Sequence, residues 1–416
     1  MGEILLLLWH ADWVLLAFSV LIFEVPRYSV SLVSLGWLAL SRRTGRKATA
    51  PTDSISVVLP TFNGGDGLLQ SIASLRRQTY PPYEIIVVDD GSTDRTRAIA
   101  RAARDAGLID HIIPHRTRCG RSPAVNAAAR FARGDLILTV DADTVFEANA
   151  LAHMAGAFRD GRAAAVSCNL RVKNESASLW TELQGLEYLL SISAGKAFLA
   201  HLGAISCCSG ACSMYRRTTF LDAGGLDVGP GEDIEFTLRL RRMGHHVGFV
   251  PEAWAATMVP ESFIALARQR LRWDRDALRV RLIQFREMWP FRSEGLADTL
   301  QRLDFIVFDL IPTVTLPFYI AYCVALFGAD APLFLAAVSV LISALGLINL
   351  ALASVMFSSK PRFFNLLAAP IFPLYNGLLM KTVRLWAFTA ELLFATSRHD
   401  DYVPPRVRKA LSTRLS

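Results

Sequence analysis

The pattern of apolar and polar positions divides the chain into an apolar beginning, a middle of alternating strands and helices, and an apolar end. In the middle, residues 54–59 and 84–88 are short aliphatic runs that end in polar loops, as buried strands do. Apolar residues at helical spacing follow each run, over 68–78 and 96–106, and Gly107 ends the second. This alternation predicts an α/β domain with a parallel sheet.

A third aliphatic run, 136–140, ends in the pair Asp141 and Asp143. Ligands of open α/β sheets bind outside the carboxyl ends of the strands. Two carboxylates at such an end can hold a divalent cation, which can in turn hold a diphosphate. Aspartate is also common in ordinary turns after strands, so the pair alone is a weak signal. The rest of the chain decides between these two interpretations.

The composition adds membrane segments to this picture. Of the 416 residues, 52% are hydrophobic and only 19% are charged, and the mean hydropathy is +0.32. The first apolar stretch, 4–23, is long enough to cross a bilayer and lacks the basic start of a signal peptide. We expect an uncleaved anchor over 1–48. The basic cluster at 42–47 predicts that the domain after it, 53–290, is cytoplasmic.

The carboxyl-terminal part, 300–400, is also predicted to be membrane-associated. Residues 305–329 and 331–357 are each long enough to span a bilayer. The next apolar stretch, 363–396, carries charged residues, which indicates an interfacial or re-entrant element or two short passes. The basic tail, 401–416, is expected to stay in the cytoplasm. These patterns predict a multi-pass protein of the cell's inner (plasma) membrane.

The charge and the cysteine content indicate which kinds of molecule the protein is expected to bind and in what state its thiols are. The 44 basic and 37 acidic residues give a formal charge of +7, which suits nucleic acid, anionic lipid or a phosphorylated substrate. No nucleic-acid motif is present, so we expect membrane lipids and a phosphorylated substrate and no nucleic acid. The six cysteines lack regular spacing and are predicted to be free thiols. We expect Cys207, Cys208 and Cys212 to line a pocket.

Five short segments in this order resemble the family 2 inverting glycosyltransferases, and most closely their processive membrane-bound branch. That branch contains cellulose, chitin-oligosaccharide, hyaluronan and poly-N-acetylglucosamine synthases. The segments are Val-Val-Leu-Pro-Thr-Phe-Asn at 57–63, Ile-Val-Val-Asp-Asp-Gly-Ser-Thr-Asp at 86–94, Asp-Ala-Asp at 141–143, Gly-Glu-Asp at 231–233 and Gln-Arg-Leu-Arg-Trp at 269–273. The resemblance implies a GT-A fold with a mixed, mainly parallel sheet, flanked by transmembrane helices.

The resemblance implies that Thr61 and the loop of Asp89 and Asp90 bind uridine. The alternative is a loop that merely caps the following helix. Asp143 would ligate Mg2+ or Mn2+, and Asp141 would contact the ribose or a water bound to the metal.

Arg121 stands in Gly-Arg-Ser-Pro-Ala-Val-Asn, 120–126, where the family often has Gly-Lys-x-x-Ala-Leu-Asn. Arginine can replace lysine as a phosphate partner, with a different geometry.

The acceptor side of the reaction needs a general base, and Asp233 is the candidate. Its alternative role, with Glu232, is to stabilise the start of a helix over 234–243 through the helix dipole. On a later helix, Gln269, Arg272 and Trp273 share one face and would bind the diphosphate and stack on a sugar. Alternatively, Arg272 lies on a solvated face and Trp273 is an interfacial anchor. Five surrounding arginines are expected to face lipid phosphates: Arg268, Arg270, Arg275, Arg279 and Arg281.

These expectations leave three functional hypotheses open. The first is a processive synthase that extends a polysaccharide acceptor from UDP-N-acetylglucosamine or UDP-glucose and passes the product through its own helices. The second is an enzyme that adds one sugar to a lipid acceptor. The third is a non-catalytic component of a polysaccharide export complex. The small residues 209–211 resemble the acceptor-side stretch of the family, and a tight turn is the alternative.

Overall fold

The computed structural model describes residues 33, 34, 36, 37, 52–227, 229–285, 295–357, 368–399 and 403–405. The predicted anchor over 1–48 and the basic tail over 401–416 lie almost wholly outside these residues.

An eight-stranded mixed sheet forms the centre of the described fold, with the strand order β3-β2-β1-β4-β7-β6-β8-β5. The pairs β1–β2, β1–β4, β2–β3 and β6–β8 are parallel, and β4–β7, β6–β7 and β5–β8 are antiparallel. The predicted α/β fold with a mixed sheet is therefore confirmed. The strands are β1 Ile55–Thr61, β2 Glu84–Asp89, β3 His111–Pro114, β4 Leu136–Val140, β5 Val145–Phe146, β6 Ala163–Val172, β7 Cys212–Arg216 and β8 His246–Thr257.

The aliphatic runs become central strands because the sheet is covered on both faces. Val57 and Leu59 belong to one hydrophobic cluster, and Val58 between them belongs to the cluster on the other face. A strand buried on both faces needs a continuous apolar run rather than alternation. Because β1, β2 and β4 run parallel, their carboxyl ends meet at one edge, where Thr61 pairs with Asp89.

Helices cover the sheet, and the predicted helices near 68–78, 96–106 and 234–243 are present with ends shifted by a few residues. The helices up to residue 278 are α1 Gly65–Arg76, α2 Thr96–Asp105, α3 Arg121–Phe131, α4 Ala150–Gly156, α5 Leu179–Glu187, α6 Lys196–His201, α7 Arg217–Asp222, α8 Glu232–Arg242 and α9 Phe263–Leu278. A wide π-helical segment, Tyr188–Gly195, joins α5 to α6 without a break.

The carboxyl-terminal region is helical and packs on α9. It contains α10 Leu296–Phe305, α11 Ile311–Phe327, α12 Ala331–Met356 and α13 Met380–Phe394, with π-helical turns at Ile306–Leu310 and Tyr375–Leu379. Among the described residues, one helical run of 41 residues, Leu296–Ala336, contains a segment that is long and apolar enough to cross a membrane by length and composition. Leu278, Phe305 and Phe388 join α9, α10 and α13 in one apolar cluster.

Candidate active site

The candidate active site lies at the sheet edge where β1, β2 and β4 end, and its floor is the turn after β4. Asp141 N donates to Ala211 O at 3.2 Å, and Thr144 N donates to Asp141 O at 3.1 Å, so backbone hydrogen bonds fix this turn. The Thr257 hydroxyl, at the end of β8, donates to Asp143 Oδ1 at 3.2 Å. The two predicted metal-binding carboxylates therefore stand together on a rigid turn.

The surroundings of Asp143 fit a divalent cation. Burial raises the pKa of this carboxyl group, and the neighbouring Asp141 carboxylate raises it further. A cation between the two carboxylates would offset both the repulsion and the cost of burial. Carboxylate oxygens are hard ligands of the kind that Mg2+ and Mn2+ take. The side chains present are therefore suitable ligands for the predicted metal.

Arg121, the first residue of α3, connects the two halves of the site. Its Nε lies 3.1 Å from Asp141 Oδ1 and its Nη1 lies 3.4 Å from Glu232 Oε1, while Nη2 donates to Gly210 O. Burial lowers the pKa of this guanidinium, but Asp141 and Glu232 outweigh burial and raise it. One cation thus holds the turn after β4, the start of α8 and the small-residue stretch in fixed relation.

Asp89 was predicted to bind the nucleotide, but its side chain is fully buried. It accepts hydrogen bonds from Ser92 N at 2.9 Å and from Arg97 Nε at 2.5 Å. Burial would raise the pKa of Asp89, but the hydrogen bonds from Ser92 and Arg97 outweigh it and lower that pKa. Both carboxylate oxygens of Asp89 are already used by hydrogen bonds inside the protein. Asp89 therefore holds the loop that follows β2, and its direct contact with the nucleotide stays a prediction.

Asp90 connects the same loop to the segment before α3. It accepts hydrogen bonds from Cys119 N at 2.8 Å and from Gly120 N at 2.7 Å, and His115 Nδ1 lies 2.8 Å from its Oδ1. Within the described residues, Asp90, His115 and Cys119 are also the one group of three side chains close enough to share a metal ion. Because both oxygens of Asp90 already accept backbone N–H groups, hydrogen bonding accounts for this cluster.

Thr61 lies at the end of β1 and has an unused hydroxyl. The side chain is buried, and its Oγ1 has no hydrogen-bond partner. A buried hydroxyl without a partner costs free energy that a ligand atom could offset. The position fits the predicted contact with a nucleotide base.

The start of α8 places Asp233 beside the small-residue stretch. Its Oδ2 accepts hydrogen bonds from Cys207 Sγ at 3.3 Å and from Gly210 N at 3.4 Å. Its Oδ1 accepts from Ile234 N at 2.9 Å, so part of the predicted helix-end role is also present. Burial raises the pKa of the adjacent Glu232, while the Arg121 charge opposes that shift. The predicted base and the predicted acceptor stretch are therefore in direct contact.

Helix α9 carries Gln269, Arg272 and Trp273 on one face, as its periodicity predicts. Ser262 precedes the helix, and its Oγ accepts from Ala265 N at 3.4 Å, as expected for a cap. Gln269 Oε1 is buried without a hydrogen-bond partner, whereas the Trp273 side chain is 40% exposed. An unused amide oxygen and an exposed ring are both features of a ligand-binding face.

Three of the arginines expected at lipid phosphates form bonds inside the protein instead. Arg270 Nη2 lies 3.0 Å from Glu187 Oε2, and Arg279 Nη2 donates to Pro230 O. Arg281 Nη2 donates to the Ser206 hydroxyl at 2.9 Å. The lipid expectation is wrong for these three because α9 and the turn after it are covered by α5, the loop before α8 and the segment before β7.

Sequence reasoning missed the polar residues of the helix over 179–201. Glu187 was given no role, and yet it binds Arg270 of α9. Lys196, at the other end of the π-helical segment, donates to Ser209 Oγ at 2.5 Å beside the acceptor stretch. Tyr188 is buried, which raises its pKa to about 12. The signal that could have found Glu187 is a carboxylate directly before the mostly apolar run 188–192, where a charged group needs a partner.

Comparison with known proteins finds a matching family profile and several similar enzymes. Residues 56–222 match the profile of Glycosyl transferase family 2. The N-acetylglucosaminyltransferase of Rhizobium meliloti (strain 1021) is 31% identical over 67% of this chain and 70% of its own length. A protein of the same description from Azorhizobium caulinodans is 35% identical over 55% of this chain, which spans only 60% of that relative.

Among solved structures, the mannosyltransferase PcManGT from Pyrobaculum calidifontis, in complex with GDP-Man and Mn2+, superposes with a TM-score of 0.58. The match covers 91% of this chain and 98% of that one, with 16% sequence identity. At this identity the likeness shows a shared fold and nothing further.

Proposed function

Because this chain belongs to glycosyl transferase family 2 and is a hexosyltransferase, we propose that it transfers N-acetylglucosamine from UDP-N-acetylglucosamine to the non-reducing end of a growing polysaccharide. The choice of sugar is supported by the N-acetylglucosaminyltransferases among its relatives. UDP-glucose is the competing donor. The single observation that carries the proposal is the bridge formed by Arg121. Its guanidinium contacts both Asp141, on the proposed donor side of the site, and Gly210, in the proposed acceptor stretch.

The donor is held by groups from both ends of the site. Thr61 contacts the nucleotide base through its unused hydroxyl. The loop that contains Asp90 forms one side of the site for this base. Asp143 and Asp141 would hold Mg2+ or Mn2+, and the ion would offset the negative charge of the diphosphate leaving group. The solved structural neighbour contains Mn2+, which supports a divalent ion without deciding between the two metals.

The proposed chemistry is a single inverting displacement. Asp233 accepts the proton of the acceptor hydroxyl while that oxygen forms a bond to the anomeric carbon of the donor sugar. The bond from that carbon to the diphosphate breaks, and UDP leaves with its electron pair. Gln269 and Arg272 bind the diphosphate, and Trp273 stacks on the acceptor sugar. The contacts of Asp233 with Cys207 and Gly210 support its placement beside the acceptor.

The proposal includes a membrane location. The helical run Leu296–Ala336 supports at least one crossing. We place the catalytic residues on the cytoplasmic side of the inner membrane, where nucleotide sugars are made, and expect several crossings. In this arrangement the extended polysaccharide would leave through the protein's own helices, with or without export partners.

The test is to supply membranes that contain the full chain with radiolabelled UDP-N-acetylglucosamine or UDP-glucose, and with Mn2+ or Mg2+. Products are sized and also extracted into organic solvent. Long labelled polymer from UDP-N-acetylglucosamine supports the proposal. One labelled sugar in the solvent extract overturns it in favour of the lipid-acceptor enzyme. No transfer, together with an unchanged cellular phenotype of Asp143→Asn and Asp233→Asn, favours a non-catalytic component.

A further inference from the structure

We propose that Glu187 and Arg270 are positioning residues that set the orientation of the Trp273 ring, and that the carboxyl-terminal helices complete this support. The inference rests on the proposed function, because it assigns Trp273 to the acceptor sugar. It also explains why Arg270 of α9 is paired with Glu187 of α5, although neither residue takes part in the proposed chemistry.

The first observation is a shared carboxylate oxygen. Glu187 Oε2, at the end of α5, lies 3.0 Å from Arg270 Nη2 of α9 and accepts a hydrogen bond from Tyr375 Oη at 2.8 Å. The side chains of Arg270 and Glu187 are 13% and 19% exposed, so water screens this pair only weakly. Three segments far apart in sequence therefore meet at one atom.

The second observation is the contact between Arg270 and the tryptophan. The Arg270 guanidinium carbon lies 4.6 Å from the centroid of the Trp273 ring, within the range of a cation–π contact. A planar guanidinium that is fixed by an ion pair on one side offers the indole a flat, immobile partner on the other. Without this partner, an exposed indole on a helix would exchange between rotamers.

The third observation lies on the other side of the tryptophan. The next residue, Asp274, lies 3.0 Å from Arg384 Nε of α13, and Arg384 Nη1 also donates to Asp309. Arg270, one turn before Trp273, is therefore connected to Tyr375 through Glu187, and Asp274, directly after Trp273, is paired with Arg384. One ion pair, between Asp274 and Arg384, and one hydrogen bond, from Tyr375 to the Glu187 carboxylate that pairs with Arg270, connect this face of α9 to the carboxyl-terminal helices.

These contacts would matter for turnover because small displacements of a positioning group are costly. A shift of about 1 Å can reduce the rate about a hundredfold. The carboxyl-terminal helices are therefore part of the catalytic unit in this proposal, in addition to any role in the membrane. A simple stabilising ion pair is the competing explanation, and the two explanations predict different effects of conservative variants.

The experiment compares Glu187→Gln, Arg270→Lys and Tyr375→Phe with the wild type in the full chain, with a short N-acetylglucosamine oligosaccharide as the acceptor. Lysine keeps the charge that pairs with Glu187 but lacks the flat guanidinium. We expect Arg270→Lys and Glu187→Gln each to lower kcat/KM for the acceptor about tenfold, less than the about hundredfold loss that a displacement of about 1 Å can cause, because Trp273 itself stays on α9. Tyr375→Phe should lower it about threefold, because one hydrogen bond to a charged oxygen is lost.

The discriminating readout is UDP affinity in the presence of Mn2+, measured on the same samples. UDP affinity should stay within about twofold of the wild type in all three variants, because Gln269 and Arg272 keep their places on α9. Wild-type acceptor kinetics for Arg270→Lys would overturn the proposal, since charge alone would then suffice. A parallel loss of UDP affinity, acceptor kinetics and thermal stability would also overturn it in favour of a structural ion pair.

Two reference variants separate this inference from the proposed function. Trp273→Ala and Asp233→Asn should lose transfer but still bind UDP. If both variants transfer sugar normally, the proposed function fails. If both are inactive while Glu187→Gln and Arg270→Lys match the wild type, only the positioning role fails.

Discussion

The donor half of the site and the acceptor half are built by different means. In the donor half, formed by β1, β2 and β4, carboxylates bind neighbouring backbone N–H groups, as Asp90 does with Cys119 and Gly120. In the acceptor half, formed by α5, α8 and α9, long side chains bridge distant elements, as Arg270 of α9 does with Glu187 of α5. Arg121 of α3 also reaches into this half and pairs with Glu232. The donor half is a set of local loops on a rigid sheet, whereas the acceptor half depends on how helices pack.

This difference predicts where substitutions act. Changes in the donor half should affect metal and nucleotide binding while the acceptor half stays in place. Changes to the bridging side chains should disturb the relation between the halves. Four predictions, ordered from the largest expected effect to the smallest, test this contrast.

The largest effect is expected for Asp143→Asn. Loss of a metal ligand should reduce transfer by about a thousandfold or more, the several kcal/mol that a metal ion supplies at a transition state. The metal-free protein should nevertheless become more stable, because burial and Asp141 raise the pKa of Asp143 and so disfavour its charged form.

The sign of the stability change depends on pH. Above the folded-state pKa of Asp143, the wild type bears the full cost of the buried charge, and the asparagine variant should have the higher Tm. As pH falls through that raised pKa towards the unfolded value, Asp143 becomes protonated and the difference should vanish. Thermal unfolding in chelator across this pH range checks the prediction, and an unchanged or lower Tm at neutral pH would contradict it.

Asp233→Asn should cost almost as much activity but leave donor binding intact. Removal of a general base typically lowers the rate about a hundredfold to ten-thousandfold. Asparagine keeps an oxygen that can accept from Gly210 N, so the loop should hold its shape. Single-turnover transfer and UDP affinity are the two measurements, and a loss of UDP affinity would mean that Asp233 supports the donor half instead.

Arg121→Lys should have an intermediate effect, although it restores the residue that the family often has. A lysine is a point charge and cannot reach Asp141, Glu232 and Gly210 O together, as the guanidinium does. We expect about a tenfold loss in turnover, the equivalent of about one strong hydrogen bond, with a smaller change in donor KM. An Arg121→Ala variant provides the comparison and should lose more, because Glu232 would then be buried without a partner. Wild-type turnover for the lysine variant would show that the bridge is dispensable.

Asp89→Asn should have the smallest effect on turnover. Because Asp89 is fully buried and bonded to Arg97 and Ser92, the substitution should lower the free energy of unfolding by about 1–2 kcal/mol, the range for a hydrogen bond to a charged group. Turnover and donor KM of the folded protein should change less than about threefold, since both oxygens of Asp89 are already used inside the protein. Denaturant unfolding with steady-state kinetics checks both, and a large rise in donor KM without loss of stability would support a direct nucleotide role.

The parts of the site that could be predicted from the sequence are those that depend on local patterns. The end of β4 at Asp141, the Asp89-Asp90 loop and the shared face of Gln269, Arg272 and Trp273 all follow from strand ends and helical periodicity. The alternation of strands and helices predicts the parallel pairs of the sheet, whereas the antiparallel pairs were expected only from the resemblance to the glycosyltransferases.

The rest depends on packing between distant segments. The two adjacent aspartates of the loop after β2 look alike in sequence, and both are buried in the structure. Only the fold shows that Asp89 bonds Ser92 and Arg97, whereas Asp90 bonds the segment before α3. Arg270 and Glu187 lie 83 residues apart, and nothing local indicates that they meet. The five arginines near α9 were interpreted from composition, and only the packing of α5, the loop before α8 and the segment before β7 shows that three of them bond inside the protein.

The π-helical segment Tyr188–Gly195 changes the direction in which the side chains after it point, relative to those before it. Each residue in a regular helix turns the next side chain by about 100°, and a π-helical turn holds one residue more than a regular turn. The segment therefore lets one continuous helix direct Glu187 towards α9 and Lys196 towards Ser209. Deleting a single residue, such as Leu190, would leave a regular helix but rotate Lys196 away from the acceptor stretch. The helix could then still pack, while its two ends would no longer serve the same site.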